Sequence, residues 1–316
     1  MFENFFIKSS GFYLSKFNNS SKIQDFLMWP LATRILEKKY EKIVKLKNGL
    51  LMKTDLKDVL GRFVIFYGPY LDYFWEPQTI KLMELLLKNS REAIIAGSHI
   101  GYLSLMARKA MSKEARVHSF EPVSYLYEIS ETNFRLNKEL GEMTINKEAL
   151  SDHSGEALVN IDNIKSAIVD FPAEGAETEK VKTITVDSYL KQANIKKLDF
   201  ALFDVEGHEP AVFRGMNECF KKGQPEDIIF EYNPLIKLIK DETDDFREIK
   251  NILYGSGYKF YRIKDNYELK NIRKEWDKIE IVAFDEEKKG TDSQRYFNIL
   301  ATKRPEGELK QLLCAR

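Results

Sequence analysis

The groups best placed to do chemistry lie where an apolar run ends in acids: Phe200-Ala201-Leu202-Phe203-Asp204-Val205-Glu206-Gly207-His208-Glu209. Strand alternation puts Phe200, Leu202 and Asp204 on one face and Ala201, Phe203 and Val205 on the other. A strand apolar on both faces belongs inside a parallel sheet. Open α/β sheets bind ligands at the carboxyl ends of such strands, where Asp204 and Glu206 fall. A carboxylate there can take a proton from a bound ligand or orient it, so Asp204 is the first candidate base. His208, with an imidazole that ordinarily titrates near neutrality, is the second. Glu206 shares the Asp204 face if the strand continues. Glu209, in the first turn of the next helix, either contacts substrate or complements the helix dipole. A later strand, Ile228-Ile229-Phe230-Glu231-Tyr232, brings Glu231 to the same edge. It can bind ligand hydroxyls or serve as a hydrogen-bond anchor.

A second constellation lies upstream. Gly97-Ser98-His99-Ile100-Gly101 falls between a predicted strand and a predicted helix. Glycines there let backbone approach a ligand, and the helix N-terminus offers unpaired N–H groups. Twenty-four residues beyond Gly97, Glu121 follows the second strand in Phe120-Glu121-Pro122. A carboxylate at that tip can accept both hydroxyls of a ribose, a device that serves NAD and adenosyl cofactors alike; the alternative is that it caps the next helix. A nicotinamide site favours G-x-G-x-x-G, and here the middle glycine is His99. Asp152, Asp204, Glu206, His208 and Glu231 also form an oxygen-rich set that suits Mg²⁺ or Mn²⁺, the basis of a metal-dependent hydrolase as a rival reading. No H-x-H or H-x-x-x-H spacing supports zinc, and no metal is assigned.

These residues need elements to position them. From residue 79 the pattern alternates: helix 79–88, strand 93–96, helix 100–111, strand 116–120, helix 124–140, strand 143–150. A polar excursion of hairpins at 155–186 follows. Strand 199–205, helix 209–222, strand 227–232, helix 244–256 and strands 258–263 and 296–302 complete it. Strands alternating with helices predict a doubly wound, mainly parallel α/β sheet. Residues 1–78 read as an extension packed on this 79–316 domain: helical spacing from Ile23 to Lys45, then β-like runs at 50–54 and 62–67. Its apolar patch Phe26-Leu27-Met28-Trp29 is either packed on the domain or a homodimer contact.

Composition narrows the class. Lys+Arg and Asp+Glu both total 49, so no net charge draws nucleic acid. Two distant cysteines, Cys219 and Cys314, exclude a disulfide framework and fit a reducing compartment. No apolar run reaches the roughly 20 residues of a membrane span, and the N-terminus lacks a signal-peptide pattern. The expected location is the cytoplasm.

Taken in order, the glycine turn with Tyr102, then Phe120-Glu121-Pro122, Asn133-Phe134-Arg135-Leu136-Asn137, Ala149-Leu150-Ser151-Asp152, the Asp204–Glu209 run and Tyr296-Phe297-Asn298-Ile299-Leu300-Ala301 resemble the FkbM-type methyltransferases over about residues 50–303. The resemblance implies a Rossmann-like, seven-stranded methyltransferase sheet whose last strand is antiparallel, and S-adenosylmethionine as cofactor. It implies that Gly97, Ser98, His99 and Gly101 face the methionine part, that Glu121 holds the ribose, and that Asp204 lies beside the cofactor. Asp152 would sit near the adenine, or else form an Asx turn with Ser151 and Ser154. Family habit points to O-methylation of a hydroxyl on a sugar or a glycosylated metabolite, Glu206 and Glu209 being expected at that acceptor. Asn133 and Asn137 are expected to bond loop backbone. One departure stands out: where the family carries an acid two places before the first glycine, this chain has Ile95. A degenerate, non-catalytic cofactor-binding or scaffold protein is therefore the alternative.

Overall fold

The computed structural model describes residues 40–57, 59–68, 71, 75–161, 166–169, 175–232, 245–264, 279–284 and 297–314. The Phe26–Trp29 patch lies outside them. The described chain opens with an antiparallel hairpin, β1 (Lys42–Lys45) and β2 (Leu51–Thr54). The helical reading of Ile23–Lys45 therefore fails at its end, where Val44 alternates inward between exposed neighbours. Helix α1 (Val59–Tyr67) follows, correcting the strand expected at 62–67. The run is rich in β-formers, but Leu60 with Val64 and Phe63 with Tyr67 are i,i+4 pairs, and the Phe63 and Tyr67 rings stack at 5.1 Å. Tertiary burial along a helical stripe decided the conformation.

Next come α2 (Pro77–Leu87), β3 (Glu92–Ala96), α3 (Tyr102–Ala110), β4 (Arg116–Phe120), α4 (Ser124–Leu136) and β5 (Glu142–Asn146). Helix α4 stops four residues early, and Lys138–Leu140 forms a separate 3₁₀ turn. Asn133, as expected, bonds loop backbone at Ile100, and it and Asn137 also grip strand β2. Asn133 accepts from Lys53 N (2.6 Å) and donates to Lys53 O and Ile100 O, while Asn137 brackets Leu51 in the same way. Two side-chain amides thus stand in for a neighbouring strand and lock the hairpin to α4.

The strand expected at 143–150 is two. The chain leaves β5 at Asn146, whose amide is held by Ser119 O, and enters β6 (Glu148–Leu150). Strands β6, β7 (Gly155–Asn160), β8 (Ala167–Val169) and β9 (Thr178–Ile184) form a second sheet in the order β6-β9-β7-β8. This sheet is the hairpin excursion, and it ends in α5 (Val186–Gln192), capped by the Thr185 hydroxyl. Strand β10 (Phe200–Phe203) leads to α6 (Glu209–Arg214) and α7 (Asn217–Lys221). The single helix expected at 209–222 breaks at Gly215, where a β-carbon would lie 2.2 Å from Ser151 O. Then follow β11 (Asp227–Tyr232), α8 (Asp245–Gly255), β12 (Lys259–Ile263), β13 (Ile281–Ala283), β14 (Phe297–Thr302) and α9 (Glu306–Cys314).

The main sheet runs β13-β12-β14-β11-β10-β3-β4-β5. As expected, the last strand β14 is antiparallel, pairing with both β11 and β12; the edge strand β13 is an unexpected eighth. Ile95, Leu202, Ile229 and Leu300 face one apolar layer, and Ile94, Ala201, Phe203 and Phe230 face the other. Strand order reverses between β3 and β10, the crevice where such sheets bind ligands. No helix among the described residues is long and apolar enough to cross a membrane.

Candidate active site

At the switch point the tips of β3 and β10 touch. Asp204 N donates to Ala96 O at 3.1 Å, and a β-carbon on Gly97 would lie 1.7 Å from Asp204 O. With φ at +75° as well, position 97 admits only glycine. The turn is clamped from the other side by Phe120 O, which accepts Gly97 N and Ser98 N. Gly101 has a different task. It starts α3 at φ +87°, where a β-carbon would lie 2.7 Å from Ser130 Oγ and 3.0 Å from the Phe134 ring of α4, and it does not line the cavity.

A cavity of about 370 Å³ opens over these tips, within the size range of small-molecule sites. Gly97, Ser98, His99, Glu121, Asp204, Glu206, His208 and Glu231, all singled out from the sequence, line it. Glu121 is buried, with Oε2 accepting His99 N (2.8 Å) and Oε1 accepting Val123 N (3.0 Å). It therefore braces the glycine turn and its own loop while facing the cavity. Burial pushes its carboxyl up to about 8, against the two N–H bonds, with Glu179 adding repulsion.

Alternation carries the Leu202 and Ile229 face onward, so Asp204 and Glu231 project from the same side of the sheet. Asp204, Glu206 and Glu231 each bring a carboxylate oxygen within 4.8 Å of the others. The larger cluster expected with Asp152 and His208 does not assemble around them. His208 turns its Nε2 to Ser151 Oγ at 3.0 Å.

Two expected residues lie elsewhere. Asp152 does not line the cavity. It pairs with Arg214 at 2.9 Å and with His153 at 2.7 Å. Partial burial opposes its ionisation, yet these partners hold it down to about 2. Glu209 is also off the cavity; its Oε1 accepts Val205 N at 2.9 Å and closes the turn between strand and helix. Burial pushes it up to about 8 despite that bond. The acidic stretch looked uniform in sequence, but the tight turn through Glu206 (φ +53°) and Gly207 (φ +90°) sorts its members between cavity and core.

The cavity also draws on residues not singled out from sequence. Phe63, Trp75 and Glu76 come from the N-terminal segment, Glu148 from β6, Val159 from β7 and Ile168 from β8. Of the described non-glycine residues with positive φ, Glu76, His99 and Glu206 line the cavity, so left-handed backbone gathers at this site. Ile95 is fully buried in the apolar layer and does not line it.

A family model, the methyltransferase FkbM domain, matches residues 96–260, just over half of the chain. The chain belongs to the FkbM methyltransferase family. The match runs from the end of β3 into β12, so it covers the glycine turn, Glu121, the second sheet, Asp204 and Glu231. No curated protein matches the chain. Solved structures that resemble this FkbM-family protein include an O-methyltransferase from Bacillus cereus in complex with SAH. It is 15% identical, covers 72% of this chain and 81% of its own, and has a TM-score of 0.36. Another is the O-methyltransferase TomG from Streptomyces achromogenes in complex with SAM, with 12% identity, coverage of 72% and 80%, and a TM-score of 0.40.

Proposed function

We propose that this FkbM-family methyltransferase transfers a methyl group from S-adenosylmethionine to a hydroxyl oxygen, on a sugar or a glycosylated metabolite. The observation that carries the reading is the cavity at the β3–β10 switch point, bounded by the Gly97 turn, the Glu121 carboxylate and the Asp204–Glu206–Glu231 acids.

The residues present fit an adenosyl cofactor. Glu121 lies at the tip of β4 with its carboxylate in the cavity, suited to accept ribose hydroxyls. Ser98 Oγ is buried in the cavity wall with no protein hydrogen-bond partner, a donor left for a ligand. Gly97 and His99 form the turn between them. The cofactor supplies a methyl group made electrophilic by its sulfonium sulfur.

The chain's own residues then have three tasks. The glycine turn fixes position, since in-line displacement depends on alignment. Asp204, on the strand beside the turn, takes the proton that the acceptor hydroxyl loses. Leu103, Val123, Leu126, Val159 and Ile168 give the cavity apolar walls, which disfavour water beside the transferring methyl. His208, held on Ser151, is a second proton acceptor at the rim.

The test is calorimetric titration with S-adenosylmethionine, beside a Glu121→Ala variant and an NAD control. Micromolar binding that the substitution abolishes, with no NAD response, supports the reading. Equal binding by the variant would remove Glu121 from the cofactor site, and an NAD response would redirect the work to hydride transfer.

A further inference from the structure

Phe63, Trp75 and Glu76 lie outside the family-matched span, yet they complete the cavity. Their place in the sheet order says which ligand they meet. From Glu121 on β4, the tips pass in sequence through Gly97 on β3, Asp204 on β10, Glu231 on β11 and Asn298 on β14. Each step is about 4.8 Å. A ribose on Glu121 therefore places the cofactor over β4 and β3. The part of the cavity over β10 and β11, lined by Asp204 and Glu231, is left for the acceptor.

Glu76 is at that far end. Asn298, directly opposite Glu231 across the β11–β14 pair, donates its Nδ2 to Glu76 Oε2 at 2.8 Å. The same amide nitrogen is 3.0 Å from Thr79 Oγ1, so the asparagine is itself positioned. Glu76 stands in the N-cap place of α2 without capping it, at φ 44° and ψ 50°. Its carboxylate accepts from Asn298 instead, and the residue lines the cavity. Beside it, the Trp75 and Phe63 rings meet edge to face at 5.4 Å, both half-buried and both lining the cavity. A carboxylate held next to aromatic faces matches a pyranoside: vicinal hydroxyls donate to the carboxylate, and the ring's C–H face packs on the aromatic.

We propose that Phe63, Trp75 and Glu76 form the acceptor subsite, and that Trp75 and Glu76 select a pyranoside. This rests on the hydroxyl-acceptor reading above and assigns its sugar specificity to the N-terminal segment. The test uses the full chain saturated with S-adenosylhomocysteine and three probes: the methyl glycosides of glucose, galactose and mannose. Binding is followed by saturation-transfer NMR, with S-adenosylhomocysteine affinity measured in parallel as a check of folding.

At least one glycoside is expected to bind, with transfer strongest to its ring C–H protons. Trp75→Ala and Glu76→Gln should each weaken it about fivefold or more, with S-adenosylhomocysteine affinity within twofold of wild type. Undiminished glycoside binding in both variants overturns the subsite while leaving the sugar reading intact. A tenfold loss of S-adenosylhomocysteine affinity in Glu76→Gln assigns that residue to the cofactor and also overturns it. If no glycoside binds wild type, the sugar reading itself falls, and the subsite with it.

Discussion

Replacing Glu121 by glutamine should remove a pH dependence that the wild-type protein carries. Burial raises this carboxyl from 4.5 to about 8 in the folded chain. The folded state therefore keeps a proton that the unfolded state has lost over this interval. For an acid shifted upward, the stabilising contribution is complete below the unfolded value and is lost as pH rises through the folded one. The wild-type unfolding free energy should thus fall relative to Glu121→Gln by about 1.4 kcal/mol per pH unit between pH 5 and 7.5. Cofactor binding carries the opposite slope. Ribose hydroxyls donate best to the ionised carboxylate, so below the folded value binding must expel a proton. The Kd for S-adenosylhomocysteine should then tighten by up to about tenfold per pH unit from pH 6 to 7.5 and level off above 8. The glutamine variant should bind weakly, without that slope. Glu209, also pushed up to about 8 by burial, is present in both proteins and cancels in the comparison. The assay is calorimetric titration from pH 6 to 9, paired with urea unfolding from pH 5 to 9. Parallel pH profiles for the two proteins would refute the argument, because they would mean that Glu121 is already ionised in the folded chain.

Other outcomes follow from the same geometry. Gly97→Ala puts a methyl group where Asp204 O now lies 1.7 Å away, at a backbone φ of +75°. It should cost more than about 2 kcal/mol of stability and abolish S-adenosylhomocysteine binding, checked by thermal melting and calorimetry. Asn133→Ala deletes its bonds to Lys53 N, Lys53 O and Ile100 O. About 2–4 kcal/mol should be lost in chemical denaturation, and hydrogen exchange should show the β1–β2 hairpin loosening first. Asp204→Asn should lower kcat by about 10²–10⁴ once an acceptor is in hand, in a methyl-transfer assay with labelled cofactor. Arg214→Ala should release Asp152, raising its pKa toward the ordinary carboxylate range in an NMR titration, and leave S-adenosylhomocysteine affinity unchanged, since neither residue lines the cavity.

Local pattern was enough to read much of the fold. The apolar runs at 93–96, 199–205 and 227–232 are strands of one sheet because residues apolar on both faces have nowhere else to go. The glycine turn and Glu121 were legible because their chemistry depends on close approach along the chain. The misread segments were those where distant partners outweigh local preference. Arg62–Tyr67 has strand-like composition but a helical burial stripe. The 143–150 run divides between two sheets at Asn146, a choice set by which neighbour each half can pair with.

The site divides along the same line. Sequence alone determined which residue types stand at the strand tips, since a strand's register carries its end residues with it: Asp204, Glu231 and Glu121 all reach the cavity. Only the tertiary structure decided which acids stay there. Glu209 and Asp152 sit close in sequence to cavity residues, but a left-handed turn and the Arg214 guanidinium direct them away. Trp75 and Glu76 carried no local signal, because what places them at the cavity is remote packing: Glu76 is held by Asn298, more than two hundred residues further along the chain. Contacts between residues that remote exist only once the sheet has closed, and no short-range pattern encodes them.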